Sequence, residues 1–215
     1  TDFGLITVVF QGPTLASAIT GYLNLNDRIS TSGTLAVLTF AMTGTVRIDT
    51  EVTVGTVGST AGTAITTLTS GTLDLNGQTL NTAQFNSSNA NTRAIVFNGG
   101  NIYVNSTTGT GTCVFSNATN CTITPLQTGG FILPLNTSRT LAFGTTGGSN
   151  SFAPNVSLTP ETITNSATAI RPVITLTTGS WFGVLDIAVA TADLVGTSSI
   201  YVTSLSLGTG DYSGL

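Results

Sequence analysis

Charge is what this sequence has least of. Only 7% of its 215 residues are charged, against about a quarter in an ordinary globular chain. His and Lys are absent, so the basic residues are five Arg, at positions 28, 47, 93, 139 and 171. Five scattered cations under a net charge of -4 form no basic stripe along a phosphate backbone, and nucleic acid is not an expected partner. Without His, and without a Cys-x-x-Cys spacing, the usual zinc ligand sets cannot be assembled. Long apolar runs are missing too. Trp181-Phe182-Gly183-Val184-Leu185 stops at Asp186, far short of the ~20 residues that cross a bilayer, so neither a transmembrane helix nor membrane insertion is expected. Cysteine is scarce. Cys113 and Cys121 lie eight residues apart. They would pair in a secreted domain and would equally serve as small apolar core fillers; the reading favours free thiols packed inside.

What takes the place of charge is Thr, with Gly, Ser and Asn behind it. Thr is the polar residue that sits best on a pleated surface, and with 40% hydrophobic residues the composition says β nearly everywhere. A helix is hard to place. The one tolerable candidate, residues 188–194, is too short to persist unaided.

The segment 71–104 shows the plan most clearly. Leu73/Leu75, Ile95/Phe97 and Ile102/Val104 alternate with small polar residues, in runs of three to five closed by Asn-Gly, Gly-Gly or a Ser/Asn cluster. Strands so short bury about two side chains each, so they must stack on one another before burial outweighs ordering entropy. The expected fold is therefore all-β, a parallel β-helix (β-solenoid) with short strands and Asn/Gly corners. Residues 71–215 form the solenoid and 1–70 an N-terminal β region made of earlier coils. The echoes Leu23-Asn24-Leu25-Asn26 against Leu73-Asp74-Leu75-Asn76, and Ser32-Gly33-Thr34-Leu35 against Ser70-Gly71-Thr72-Leu73, support that extension.

Spacing suggests a period. Ile95 to Cys113 and Cys113 to Phe131 are each 18 residues, and Ile102 to Cys121 is 19. At ~20 residues per turn and ~4.8 Å per rung, the chain would make about ten coils and a rod roughly 50 Å long. Residues 5–10 read as one strand ended by Gly12-Pro13, and residues 46–54 as another with Arg47, Asp49 and Glu51 on its wet face. Corners are expected at Asn76, Asn98, Asn105, Asn117, Asn120 and Asn136, since Asn tolerates the left-handed conformation and stacked amides can bond between rungs. The pattern loosens around Pro125, Pro134, Pro154, Pro160 and Pro172, with a loop at 145–150. The start at Thr1-Asp2-Phe3 and the uncapped finish at Tyr212-Ser213-Gly214-Leu215 give the expectation of a fragment of a longer chain.

Four stretches together carry a resemblance: Gly-Thr-Leu-Asp-Leu-Asn-Gly-Gln-Thr-Leu (71–80), Phe-Asn-Ser-Ser-Asn-Ala-Asn-Thr-Arg-Ala-Ile-Val-Phe (85–97), Trp-Phe-Gly-Val-Leu-Asp (181–186) and Ser-Ile-Tyr-Val-Thr-Ser-Leu-Ser-Leu-Gly-Thr-Gly (199–210). This set resembles the repetitive Thr/Gly-rich β-solenoid virion structural proteins (tail fibre or appendage) of tailed bacteriophages. The likeness covers 71–215, with 1–70 joining through its echoes. Where the family usually has Gly-Asn-Leu after the Ile-Tyr pair, this chain has Val202-Thr203-Ser204. The resemblance implies a virion location and a non-enzymatic fibre, tail or capsid-appendage component. It carries no catalytic residues to transfer.

Several constellations have a chemical reading beside a bland one. Asp49 and Glu51 could serve glycoside hydrolysis or hold calcium, but a solvated strand face countered by Arg47 explains them. Asp74, Asp186 and Asp193 are spread singly, and for Asp74 and Asp186 an Asx bond at a turn is the default. Phe85, Phe97, Phe115, Phe131 and Phe143 read as a stacked core column, whereas Tyr22, Tyr103, Tyr201, Tyr212 and Trp181 could equally form a sugar-stacking platform. Six Asn-x-Ser/Thr sequons, at Asn86, Asn105, Asn117, Asn120, Asn136 and Asn155, arise by chance in such a composition. Residues 108–112 are Gly-rich but lack the Lys and helix of a phosphate loop, so they read as a turn. No catalytic, cofactor-binding or metal-ligating residue is assigned and no cofactor is expected. The expected partners are copies of the chain, with a trimer among the candidates, other virion proteins, and a host surface glycan. The alternatives are a cell-surface filament or adhesin subunit and, third, a polysaccharide-degrading tailspike.

Overall fold

The computed structural model describes residues 6–11, 20–23, 35–54, 65–104, 113–123, 128–135, 139–160, 173–187, 191–196, 199–207 and 211–213. They are all β, with no helix among them. In chain order the strands are β1 (Ile6–Gln11), β2 (Thr20–Leu23), β3 (Leu35–Ile48), β4 (Val52–Val54), β5 (Ile65–Asp74), β6 (Thr79–Thr82) and β7 (Gln84–Asn86). Next come β8 (Arg93–Val96), β9 (Asn101–Val104), β10 (Cys113–Asn117), β11 (Cys121–Thr122), β12 (Gly130–Leu135) and β13 (Arg139–Thr146). The last are β14 (Val156–Pro160), β15 (Val173–Leu176), β16 (Trp181–Ile187), β17 (Thr191–Gly196), β18 (Tyr201–Leu207) and β19 (Asp211–Ser213).

They form two sheets. The larger has 12 strands on a main path β1-β3-β5-β7-β10-β13-β15-β17-β19, and the smaller has seven, in the order β18-β16-β14-β12-β9-β6-β4. Both orders follow the sequence, and the named strands pair in parallel throughout. From β3 onward the chain passes repeatedly from one sheet to the other and back. Parallel strands buried on one face need an alternating pattern of this kind, and the strands show it: Thr79–Thr82 and Asn101–Val104 both place every second side chain inside.

The core is a single cluster packed between the sheets. Phe115 stacks on Phe85 (centroids 5.6 Å apart) and on Phe143 (5.6 Å), and Phe131 meets Phe85, Phe97, Phe115 and Phe143 edge-on. The expected Phe column is therefore present. Phe152 and Phe182, not counted from sequence, extend it against Phe115 and Phe143. Each buried Phe contributes on the order of 1.5–3 kcal/mol, and well-placed ring pairs add about 0.5–1.5 kcal/mol.

Corners follow the expected chemistry in part. Asn76 and Asn98 have positive φ and precede Gly77 and Gly99, also at positive φ, so both turns have the type I′ sign pattern that Asn-Gly favours. They close with Gln78 N donating to Leu75 O and Gly100 N to Phe97 O. Asn120 also has positive φ. Asn117 does not bend the chain this way; its Oδ1 accepts from Thr119 N at 3.0 Å. Asn105 and Asn136 lie outside the described residues, as do Gly12-Pro13, Pro125, Pro172 and residues 108–112.

Four expectations need correction. Strands are not uniformly short: β3 has 14 residues, β5 ten and β13 eight. Residues 46–54 are not one strand. Val46 and Ile48 end β3 in the larger sheet, and Val52–Val54 is β4 in the smaller one, with Asp49 and Glu51 at the bend between. Alternation survives because the bend keeps Ile48 and Val52 pointing inward. The spacing of 18 is not the repeat either. Phe85 pairs with Cys113, Ile102 with Phe131 and Val156 with Leu185, at separations of 28 or 29, while Leu80 pairs with Ile102 at 22. The nine strands on the main path are separated by eight intervals, about 38 Å at ~4.8 Å per interval, less than the length expected. Finally, residues 191–194 of the weak helix candidate belong to β17. The strand expected at 5–10 is found as β1 (Ile6–Gln11), with residue 5 outside the described residues, and the boundary drawn at 70/71 falls inside β5.

Candidate functional site

Arg93 is the charged group the sequence reading passed over. It opens β8 with the same inward parity as Ile95 and Phe97, so its guanidinium enters the interior, and the residue is 2% exposed. A buried cation must be matched donor by donor. Nε donates to Ser87 Oγ at 2.7 Å, Nη1 to Asn91 O (2.8 Å) and Thr119 O (2.9 Å), and Nη2 to Ser87 O (2.5 Å) and Asn117 O (2.7 Å). These five bonds tie the bend after β7 to the bend after β10, one rung away. Burial lowers the Arg93 pKa, with the Cys121 thiolate acting in the opposite sense. Desolvation likewise pushes the Cys121 thiol up to about 11, against the pull of Arg93. Cys113 and Cys121 are both buried free thiols. The cluster is a cross-brace whose guanidinium is consumed by these bonds, although Asn91, Thr92 and Arg93 also border a cleft of about 700 Å³ with Met42, Thr43 and Thr72.

The acids at the first bend are engaged by amides of neighbouring rungs. Arg47 Nε meets Asp49 Oδ1 at 2.9 Å, and Asn76 Nδ2 donates to the same oxygen at 3.4 Å. Asn81 Nδ2 donates to Glu51 Oε1 at 2.5 Å. Asp74 Oδ1 accepts from Asn76 N (2.9 Å) and Asn98 Nδ2 (3.0 Å), the expected Asx bond extended between rungs. Asp49 and Glu51 are thus drawn to different amides and do not converge on one point. The Arg47–Asp49 pair is partly exposed and worth at most about 1 kcal/mol. Among the described residues no group of three or more His, Cys, Asp or Glu comes together.

Asp186 departs from its expected turn. It lies within β16, where its Oδ2 accepts from Ser157 Oγ across the rung at 3.2 Å. Asp193 lies in β17, paired with Val173 and Ser213. Of the aromatics, Trp181 and Tyr201 stack with centroids 4.1 Å apart and planes 13° from parallel. Tyr103 is half-buried on the outer face of the smaller sheet. The side chains of Tyr22 and Tyr212 lie outside the described set. Among the sequons, Asn86 and Asn120 are exposed and Asn117 and Asn155 half-buried, while Asn105 and Asn136 lie outside the described residues.

A groove crosses the outer face of the smaller sheet. Register aligns Asn101 with Gly130, and the next residues align Phe131 with Val156 and Val156 with Leu185, so Asn101, Gly130, Asn155 and Val184 form one outward row. Ile132, Ser157 and Asp186 form the neighbouring row. Between them lies a cleft of about 270 Å³. Its floor is Gly130, where a Cβ would stand 2.4 Å from Asn155 O, so any larger residue is excluded. Asn155 is fixed twice, Nδ2 donating to Gly129 O (3.2 Å) and Oδ1 accepting from Val184 N (3.0 Å). The groove is open to solvent. Sequence reasoning missed it because it arises from register between rungs of unequal length; the Asn101, Gly130 and Asn155 positions carry no shared motif.

Comparison with known proteins returns no match: no protein-family model fits the sequence, and neither a curated protein nor a solved structure is similar to it. What the structure defines is a class, an all-β chain of parallel strands in two sheets around an aromatic core.

Proposed function

We propose that the two sheets are walls of one right-through coil, a β-solenoid, and that the chain is a non-enzymatic structural component of a tailed-phage virion: a fibre, tail or capsid appendage. The observation that carries this reading is the sequential order of both sheets around a continuous Phe core, in which each rung rests on the one before. Such a body gains its stability from stacking and gives a stiff rod. The five-bond Arg93 brace and the amide-bound acids serve the same end. Assembly with copies of itself or with other virion proteins has a natural place at β18. There Leu205 and Leu207 are 50% and 39% exposed, although they stand in register with Leu185 and Ile187, both at 0%. A strand edge with core-type side chains and no charge is a template for a further rung.

The same uncharged edge favours a second reading, a cell-surface filament or adhesin subunit linked by strand addition. A polysaccharide-cutting tailspike is the weaker alternative, because cleavage takes two carboxyl groups about the scissile bond and Asp186 is the single acid lining the described groove. Electron cryo-microscopy of the parent assembly tests the proposal. A projecting rod on a phage particle is the expected image, and a rod inside a cell-wall lattice would overturn the phage assignment in favour of the filament.

A further inference from the structure

We propose that the groove between the two outward rows of the smaller sheet binds a neutral saccharide without cleaving it. This goes beyond the structural role and stands whether or not the chain belongs to a virion.

The argument begins with shape. Four successive strands, β9, β12, β14 and β16, contribute to the groove, so it runs about 14 Å across the rungs at ~4.8 Å per interval. Its volume of about 270 Å³ is at the small end of ligand sites, which suits one sugar ring and part of a second. The floor is fixed by backbone contact at Gly130 and by the doubly bonded Asn155. Preorganised walls of this kind spare a ligand the cost of ordering them.

Chemistry selects the ligand class. A sugar ring offers an apolar C–H face and a rim of hydroxyls that both donate and accept. Ile132 and Val184 supply aliphatic contact in the groove. Ser157 holds Asp186 through Oδ2, and among the described residues Oδ1 has no partner, leaving on a groove-lining residue a carboxylate oxygen that can accept from hydroxyls in charge-assisted bonds. Asn101 uses its Oδ1 for Gly130 N at 3.3 Å, and its Nδ2, without a partner among the described residues, is left as a donor. One acceptor, one donor and an aliphatic strip match a ring edge and its face. Among the described residues no cation lines the groove, so an acidic sugar or a phosphate would bring a second negative charge beside Asp186 with none of them to neutralise it. A single carboxylate also lacks the partner that glycoside cleavage requires.

The test is saturation-transfer NMR on the full chain with methyl glucoside, methyl galactoside, methyl mannoside, maltose and lactose as neutral probes, glucuronate as the acidic probe and methylammonium as the simple cation. At least one neutral probe is expected to bind with a dissociation constant on the order of 1–10 mM, the range of a single shallow site. Glucuronate and methylammonium are expected to give no transfer. Asp186→Asn, which keeps the shape, and Asn101→Asp, which keeps the acceptor for Gly130 N and removes the free donor, should each weaken binding at least fivefold. Thr53→Ala, on the same face outside the groove, should leave it unchanged, and thermal melts of all three report that the fold is intact. The proposal is overturned if no neutral probe binds at about 50 mM, if either folded groove variant binds like the parent, if glucuronate or methylammonium binds as well as the best sugar, or if maltose or lactose is hydrolysed.

Discussion

Cys121 stands in register beside Arg93 on the adjacent strand, and the two residues are 4% and 2% exposed. A thiol next to a guanidinium would ordinarily ionise more readily. Here desolvation dominates, and the thiol is held protonated to about pH 11. The neighbouring cation is already committed to Ser87, Asn91, Asn117 and Thr119.

This gives a pH dependence with a definite sign. The Cys121 thiol has its folded pKa raised from 9.0 to about 11, so the unfolded chain loses its proton first as pH rises. Its contribution is fully present below about pH 9 and is lost between about pH 9 and 11, amounting to roughly 2–3 kcal/mol. Denaturant titrations of the parent and of Cys121→Ala across that range should show the steeper decline in the parent. Parallel slopes would remove Cys121 as the cause.

Replacing Arg93 by Met leaves the carbonyls of Ser87, Asn91, Asn117 and Thr119 without their donors. A loss of about 3 kcal/mol is expected, seen as a fall in Tm of roughly 6–12 °C for a chain of this size. Arg93→Lys should recover only part of it, since an ammonium has three donors against five. Full rescue by Lys would mean that charge, not the five-bond geometry, is what counts.

Phe115 touches rings on both sides and across the core. Phe115→Ala should cost about 3–5 kcal/mol, measured by denaturant midpoint, whereas Phe115→Leu should recover a substantial part. A small effect of the Ala variant would mean that the ring column is not the continuous support described above.

Thr50 offers the opposite case. Among the described residues its buried Oγ1 has no hydrogen-bond partner, so Thr50→Val removes an unsatisfied group at nearly constant shape. Stability should be unchanged or rise by about 1 kcal/mol, read from the same midpoint. A clear loss would reveal a bonded hydroxyl.

Much of the fold was legible because alternation reports which side chains face inward. The Phe column and the Asn76-Gly77 and Asn98-Gly99 corners follow from local chemistry alone. Arg93 was readable on the same rule. It shares parity with Ile95 and Phe97, but weighing the five Arg only as scattered cations that form no basic stripe leaves its inward position unread. The repeat length was not readable, because counting from Cys113 to Phe131 steps from one sheet to the other, and the bends between rungs differ in length. The same unequal bends hide the rows that make the groove, since Asn101, Gly130, Asn155 and Val184 become neighbours only through register.

The parallel register is the claim on which the rest depends, and NMR distance contacts between rungs test it most directly. Contacts should run in order through Thr53, Asn81, Tyr103, Ile132, Ser157, Asp186 and Ser206, each residue meeting the next on the adjoining strand of the smaller sheet. Close Hα–Hα contacts of antiparallel pairing within residues 71–143, or a different order along that row, would contradict it.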